Sequence, residues 1–185
     1  MKLLVTSLIF ILPMSLTWGQ ANNDTVFIKY NKDRFGEIPN YKTDTIIFDT
    51  PNARQILYGT TVLPWTQNQQ IAKGYGLYLD SVSITPCRED FEKILDMKNQ
   101  VIAVNRLKDN LIIQINYWGN CCHSFLCDLK VKNDTILNLI IHGYGATYCS
   151  CDCCFGLTYY LTTMKGDEFN KLKHITIKTN DTTYG

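Results

Sequence analysis

Seven of the chain's eight cysteines lie within one stretch, from Cys121 to Cys154. They fall in two groups. Cys121-Cys122-His123 and Cys127 form the first, and a C-x-C-x-C-C run of Cys149, Cys151, Cys153 and Cys154 forms the second. Cys87 stands apart. Sulfur at this density constrains a fold strongly, because thiols must pair covalently, share a metal or be buried singly. The first two outcomes require the groups to meet in space.

The compartment decides between them, and the N-terminus speaks to it. Met1-Lys2 is followed by an apolar run from Leu3 to Leu12, broken only by Thr6 and Ser7, then Pro13 and the small residues Thr17, Gly19 and Ala21. One positive charge, about ten apolar residues and a small-residue exit read as a secretory signal peptide. The run is shorter than the ~20 residues a bilayer span needs. Residues 1–19 are the expected signal, with cleavage after Gly19 or Ala21, and no later stretch is apolar for long enough to cross a membrane. The expected location is the periplasm, cell envelope or exterior, where disulfides persist. With 18 basic and 17 acidic residues, charge makes no case for nucleic acid.

Segments rich in Val, Ile, Tyr, Phe and Thr recur along the chain, separated by Asn, Asp, Gly and Pro. They predict strands at 24–30, 43–48, 56–63, 75–84, 100–106, 110–118, 125–132, 135–142, 155–163 and 174–179. Strands so spaced predict a mostly-β fold, a single antiparallel sandwich or open barrel over residues 22–180 with a tail at 181–185. One short helix is expected near 86–97. Thr85 caps it, Pro86 opens it, and Phe91, Ile94 and Leu95 form its apolar stripe. A shorter helical turn around Asp167–Leu172 is allowed. Two hairpins stand out, about Leu107-Lys108-Asp109 and Lys132-Asn133-Asp134. In the second, alternation puts Phe125, Cys127, Leu129 and Val131 on one face, turned to the core. Extending that hairpin sets residue 117 opposite 149 and 121 opposite 145, which brings the cysteine groups together.

Three chemistries fit the cysteines. Disulfides suit an exported chain, with Cys121, Cys122, Cys127, Cys149, Cys151, Cys153 and Cys154 as candidates and Cys87 as an odd thiol or a partner reached through packing. Bridges should run between the groups and not within Cys121-Cys122 or Cys153-Cys154, since neighbouring strand residues point to opposite faces. A soft Cu or Zn site would use Cys149, Cys151, Cys153, Cys154 and His123, although paired C-x-x-C knuckles are missing. Thiol–disulfide exchange at Cys151–Cys154 would need a helix to follow, and Phe155–Tyr160 reads as strand.

Other chemistry is thin. Neither G-x-S-x-G nor H-E-x-x-H occurs, so no catalytic constellation is visible and the enzyme question leans towards no. His142 and His174 fall at strand ends. Gly74-Tyr75-Gly76 and Gly143-Tyr144-Gly145 read as turns. Trp65, Trp118 and Tyr148 have faces suited to stacking on sugars, though core packing is the simpler expectation. Six Asp-Ser/Thr pairs occur, five of them continuing with an aliphatic residue or Thr. Turn chemistry accounts for most, with Asp closing a turn and Thr opening a strand.

The signal ending Thr17-Trp18-Gly19-Gln20, the Asn133–Leu137 turn and strand, and the run Cys149–Phe155 leading into Leu157-Thr158-Tyr159 resemble uncharacterised cysteine-rich secreted or envelope proteins of the Bacteroidota type. The resemblance implies O-glycosylation at the Asp-Ser/Thr triplets, at Thr25, Thr45, Ser81, Thr135 and Thr182. In a eukaryotic host Asn23, Asn133 and Asn180 would instead head sequons. The expected function is an exported, non-enzymatic binding or structural module, with no cofactor and an undefined ligand. The alternative is a thiolate metal-binding protein using the 121–154 cluster.

Overall fold

The structure is a computed structural model that describes residues 25–29, 45–50, 53–87, 98–145, 149–164 and 171–183. It is mostly β, in three sheets with one helix among the described residues. The largest sheet orders β4 (Leu77–Ile84), β9 (Asp152–Thr163), β6 (Asn110–Asn120) and β5 (Gln100–Arg106), all antiparallel. Facing it is a sheet of β7 (Ser124–Lys132), β8 (Ile136–Gly145) and β10 (His174–Thr183). A third sheet holds β1 (Thr25–Lys29), β2 (Thr45–Thr50) and β3 (Ala53–Leu57).

Alternation builds the main core. Leu111, Ile113, Ile115 and Tyr117 on β6 meet Phe125, Cys127, Leu129 and Val131 on β7, the face expected to turn inward. Phe125 stands edge-on to Tyr117 and Phe155, with ring centroids 5.1 and 4.8 Å apart. The opposite face of the β7–β8 sheet is covered at one end by the third sheet, where Leu126 and Tyr144 pack with Ile46, Phe48 and Leu63. β7 is thus covered on both faces, so its burial pattern is nearly continuous rather than alternating.

Both expected hairpins form. The β7–β8 turn holds Asn133 at φ 50° and Asp134 at φ 57°, a left-handed pair that these two residue types tolerate. Its Thr135 carbonyl accepts from the amides of Lys173 and His174 and so starts β10. That strand pairs parallel to β8, because the chain crosses through β9 in the facing sheet before returning. It continues to Thr183, taking in residues expected to form the tail.

Four expectations need correction. The strand expected at 56–63 does not form: β3 ends at Leu57, and residues 58–63 are irregular apart from an isolated bridge between Val62 and Cys127. The β7–β8 ladder pairs Ser124 with Tyr144 and does not extend to residue 117. Cys121-Cys122 instead sits in a turn at which the chain leaves β6 and enters the facing sheet. Gly143-Tyr144-Gly145 lies inside β8 and is not a turn. The described helix is α1 (Gln67–Gly74), where no helix was expected. Pro86 and Cys87 are irregular, while the rest of the 86–97 helix and most of the 167–172 turn lie outside the described residues.

Candidate functional site

The cysteine groups meet through the β6–β9 ladder. Its register sets Trp118 opposite Cys154 and Asn120 opposite Asp152, and the next step sets Cys121 beside Cys151, where the Cys121 amide donates to the Cys151 carbonyl (3.1 Å). Cys121 and Cys151 are joined as a disulfide with Cα atoms 5.8 Å apart, and Cys122 and Cys149 likewise at 5.7 Å. Cys87 is joined to Cys153 at 5.6 Å. All three Cα separations lie inside the range a bridge allows. Neither adjacent pair is bridged within itself.

Asn120 organises this corner, and the sequence reading missed it. Buried at 4% exposure, it accepts at Oδ1 from the amides of Cys122 (3.2 Å) and Cys149 (3.1 Å). Its Nδ2 donates to the carbonyls of Cys149 and Cys151. One side-chain amide thus ties the end of β6 to the segment just before β9 that carries Cys149 and Cys151. Gly119 beside it leaves room for the core, since a Cβ there would lie 2.6 Å from the Tyr117 ring.

The residues named for a metal are spread out. Cys153 faces Cys87, and Cys154 is buried across the strand from it. The sulfurs that do gather within 4.8 Å of one another belong to Cys121, Cys122 and Cys149. His123 is buried beside Ser124 and Phe125 in a separate groove that Thr85 and Pro86 close. No helix follows Cys151–Cys154, because β9 runs on from Asp152 to Thr163. The helix-lowered thiol pKa that exchange chemistry uses therefore has no source there.

No family model, curated protein or solved structure matches the chain.

A second polar centre lies on the far side of β7. Asp128 is only 2% exposed, yet its carboxylate accepts from the Thr66 hydroxyl (3.0 Å), Asn68 Nδ2 (3.2 Å), Gln69 Nε2 (3.0 Å) and its neighbour's amide, Leu129 N (2.8 Å). The three side-chain donors belong to the start of α1, where Thr66 is the N-cap and accepts from the Gln69 amide (3.1 Å). Burial pushes the Asp128 carboxyl up to about 6, against the pull of those hydrogen bonds. Lys130, His142 and Lys178 line the same cavity, and burial with Lys178 nearby lowers the His142 pKa. Cys127, one residue before Asp128, is fully buried, and burial pushes its thiol up to about 12. It is a protonated core side chain, unsuited to nucleophilic work.

Of the aromatics, Trp65 is not in the core: it is 65% exposed. Trp118 is half-buried, and Tyr148 lies outside the described residues. His174 is exposed at the start of β10. Among the glycan candidates Thr25, Ser81 and Thr135 are exposed and Thr45 is half-buried, while Thr182 lies in β10. Among the described residues no helix is long and apolar enough to cross a membrane.

Proposed function

We propose that the protein is an exported binding module of the secreted or envelope type, in which disulfides staple the β6–β7 connection to the β8–β9 connection and the end of β4 to β9. The observation that carries this reading is the set of three cysteine pairs with Cα separations of 5.6, 5.8 and 5.7 Å at one corner of the fold. Such pairs persist in an oxidising compartment, which agrees with the signal-like N-terminus. Binding is favoured over catalysis because the buried thiol is held protonated and the buried carboxylate is occupied by four donors. The Bacteroidota resemblance adds glycans at Thr25, Ser81 and Thr135, supported by their exposure, and at Thr45 and Thr182.

The gathering of Cys121, Cys122 and Cys149 favours a second reading. Reduced, with Cys151 alongside, these thiolates form a soft site for Cu or Zn. Thiol titration with and without chelator, plus elemental analysis of protein taken from the export compartment, separates the two. The binding-module reading expects two thiols, both reactive only after unfolding, and no stoichiometric metal. Six or more thiols with one bound Cu or Zn would establish the metal site instead. The same sample should begin between Gln20 and Asn22; an intact Met1 would contradict export.

A further inference from the structure

We infer that the groove between α1 and the edge strand β4 is a saccharide-binding subsite, with the Trp65 indole as its stacking platform and the Asp80 carboxylate as its hydroxyl acceptor. The inference deepens the binding-module reading and rests on it. The groove has a volume of about 460 Å³ and is lined by Thr60, Trp65, Gln70, Lys73, Tyr78 and Asp80, among others. That is room for one or two sugar rings, within the range of small-molecule sites.

Two backbone irregularities converge on it. Trp65 has φ 53°, a left-handed conformation that is uncommon for any bulky residue. Such strain persists only where the surroundings impose it, and it concentrates at binding sites. Asp80 is the extra residue of a β-bulge: Leu79 pairs with Leu161 and Ser81 with Tyr160, leaving Asp80 between them. A bulge on an edge strand re-aims its side chain. Asp80 lines the groove, and the Thr162 hydroxyl donates to its Oδ2 (2.8 Å), which orients the carboxylate and leaves Oδ1 outside that bond.

The indole's outward pose also has a local cause. An apolar residue just before an N-cap ordinarily packs down on the fourth helical position. Here that position is Gln70, whose side-chain amide donates to the Trp65 carbonyl (3.3 Å), so it offers the ring no apolar seat. The exposed face suits the C–H face of a pyranose, while Asp80 and Tyr78 offer polar atoms to ring hydroxyls. Charge narrows the class. Lys73, stacked over Tyr78 at 5.8 Å, balances Asp80, so a neutral sugar fits better than an acidic one.

The test uses the mature, oxidised chain in titration calorimetry and tryptophan fluorescence. The probes are cellotetraose, maltotetraose, mannotetraose and tetra-N-acetylchitotetraose, with tetragalacturonate as an acidic comparison. At least one neutral probe should bind with Kd on the order of 0.1–1 mM. Trp65→Ala and Asp80→Asn should each weaken it about tenfold or more, Trp65→Phe should retain most of it, and Ile102→Ser, on β5, should leave it unchanged. Failure of all neutral probes, stronger binding of tetragalacturonate, or binding that survives Trp65→Ala would overturn the inference. Thiol counts on the same samples keep the readings apart. Disulfides in place without sugar binding defeats the sugar subsite alone, whereas reduced, metal-loaded protein defeats the scaffold reading beneath it.

Discussion

Asp128 places a carboxylate where water hardly reaches it, and its protonation is therefore linked to folding. Its folded pKa of about 6 lies above the unfolded value of 3.8. A raised acid favours the folded state most below the unfolded pKa and loses that contribution as pH rises through the folded one. Two units correspond to about 3 kcal/mol. Denaturant unfolding should show stability falling between pH 4 and 7, and Asp128→Asn should flatten that slope; an unchanged slope would show that other groups set it. Trp65 is also testable on stability alone. Glycine adopts its backbone angle freely, so Trp65→Gly should leave Tm unchanged or raise stability by about 1 kcal/mol while abolishing binding. A large loss would mean that the indole packs. Asn120 behaves in the opposite way: Asn120→Ala strands several backbone groups at the cysteine corner and should cost roughly 2–3 kcal/mol by the same measurement.

At the scale of elements, the strands were legible because burial follows alternation, as in Leu111, Ile113, Ile115 and Tyr117 on β6. The helix α1 was not, because only Ile71 and Ala72 give it apolar character and Ile71 is itself exposed. Its signal lay in Thr66-x-x-Gln69, a capping-box spacing just after Pro64. Pairing was less legible still. That β6 joins β9 depends on contacts distant in sequence, whereas local turn chemistry points only to the β5–β6 and β7–β8 hairpins. Asn120 and Asp128 escaped notice because a polar residue in a strand ordinarily faces water. The β6 end supplies a further test. A methyl on Gly119 would strike the buried Tyr117 ring, which has no room to move. Gly119→Ala should therefore destabilise by about 2 kcal/mol.

For the whole molecule, the central claim is that three particular bonds lock the β6–β7 connection to the β8–β9 connection and the end of β4 to β9. Cys121–Cys151 and Cys122–Cys149, with separations of 30 and 27 residues, close nearly the same loop. Once one is formed, the other restricts little more of the unfolded chain. Removing either alone should cost little, and removing both should cost about 3.5 kcal/mol. Cys87–Cys153 closes a different loop, with a separation of 66 residues, worth about 4 kcal/mol in the same chain-entropy treatment. A non-reducing peptide map of the oxidised protein tests the claim most directly. The account predicts cross-linked peptides joining Cys87 to Cys153, Cys121 to Cys151 and Cys122 to Cys149, with Cys127 and Cys154 alkylated only after unfolding. Cys87 recovered as a thiol, or Cys127 recovered in a bridge, would contradict it.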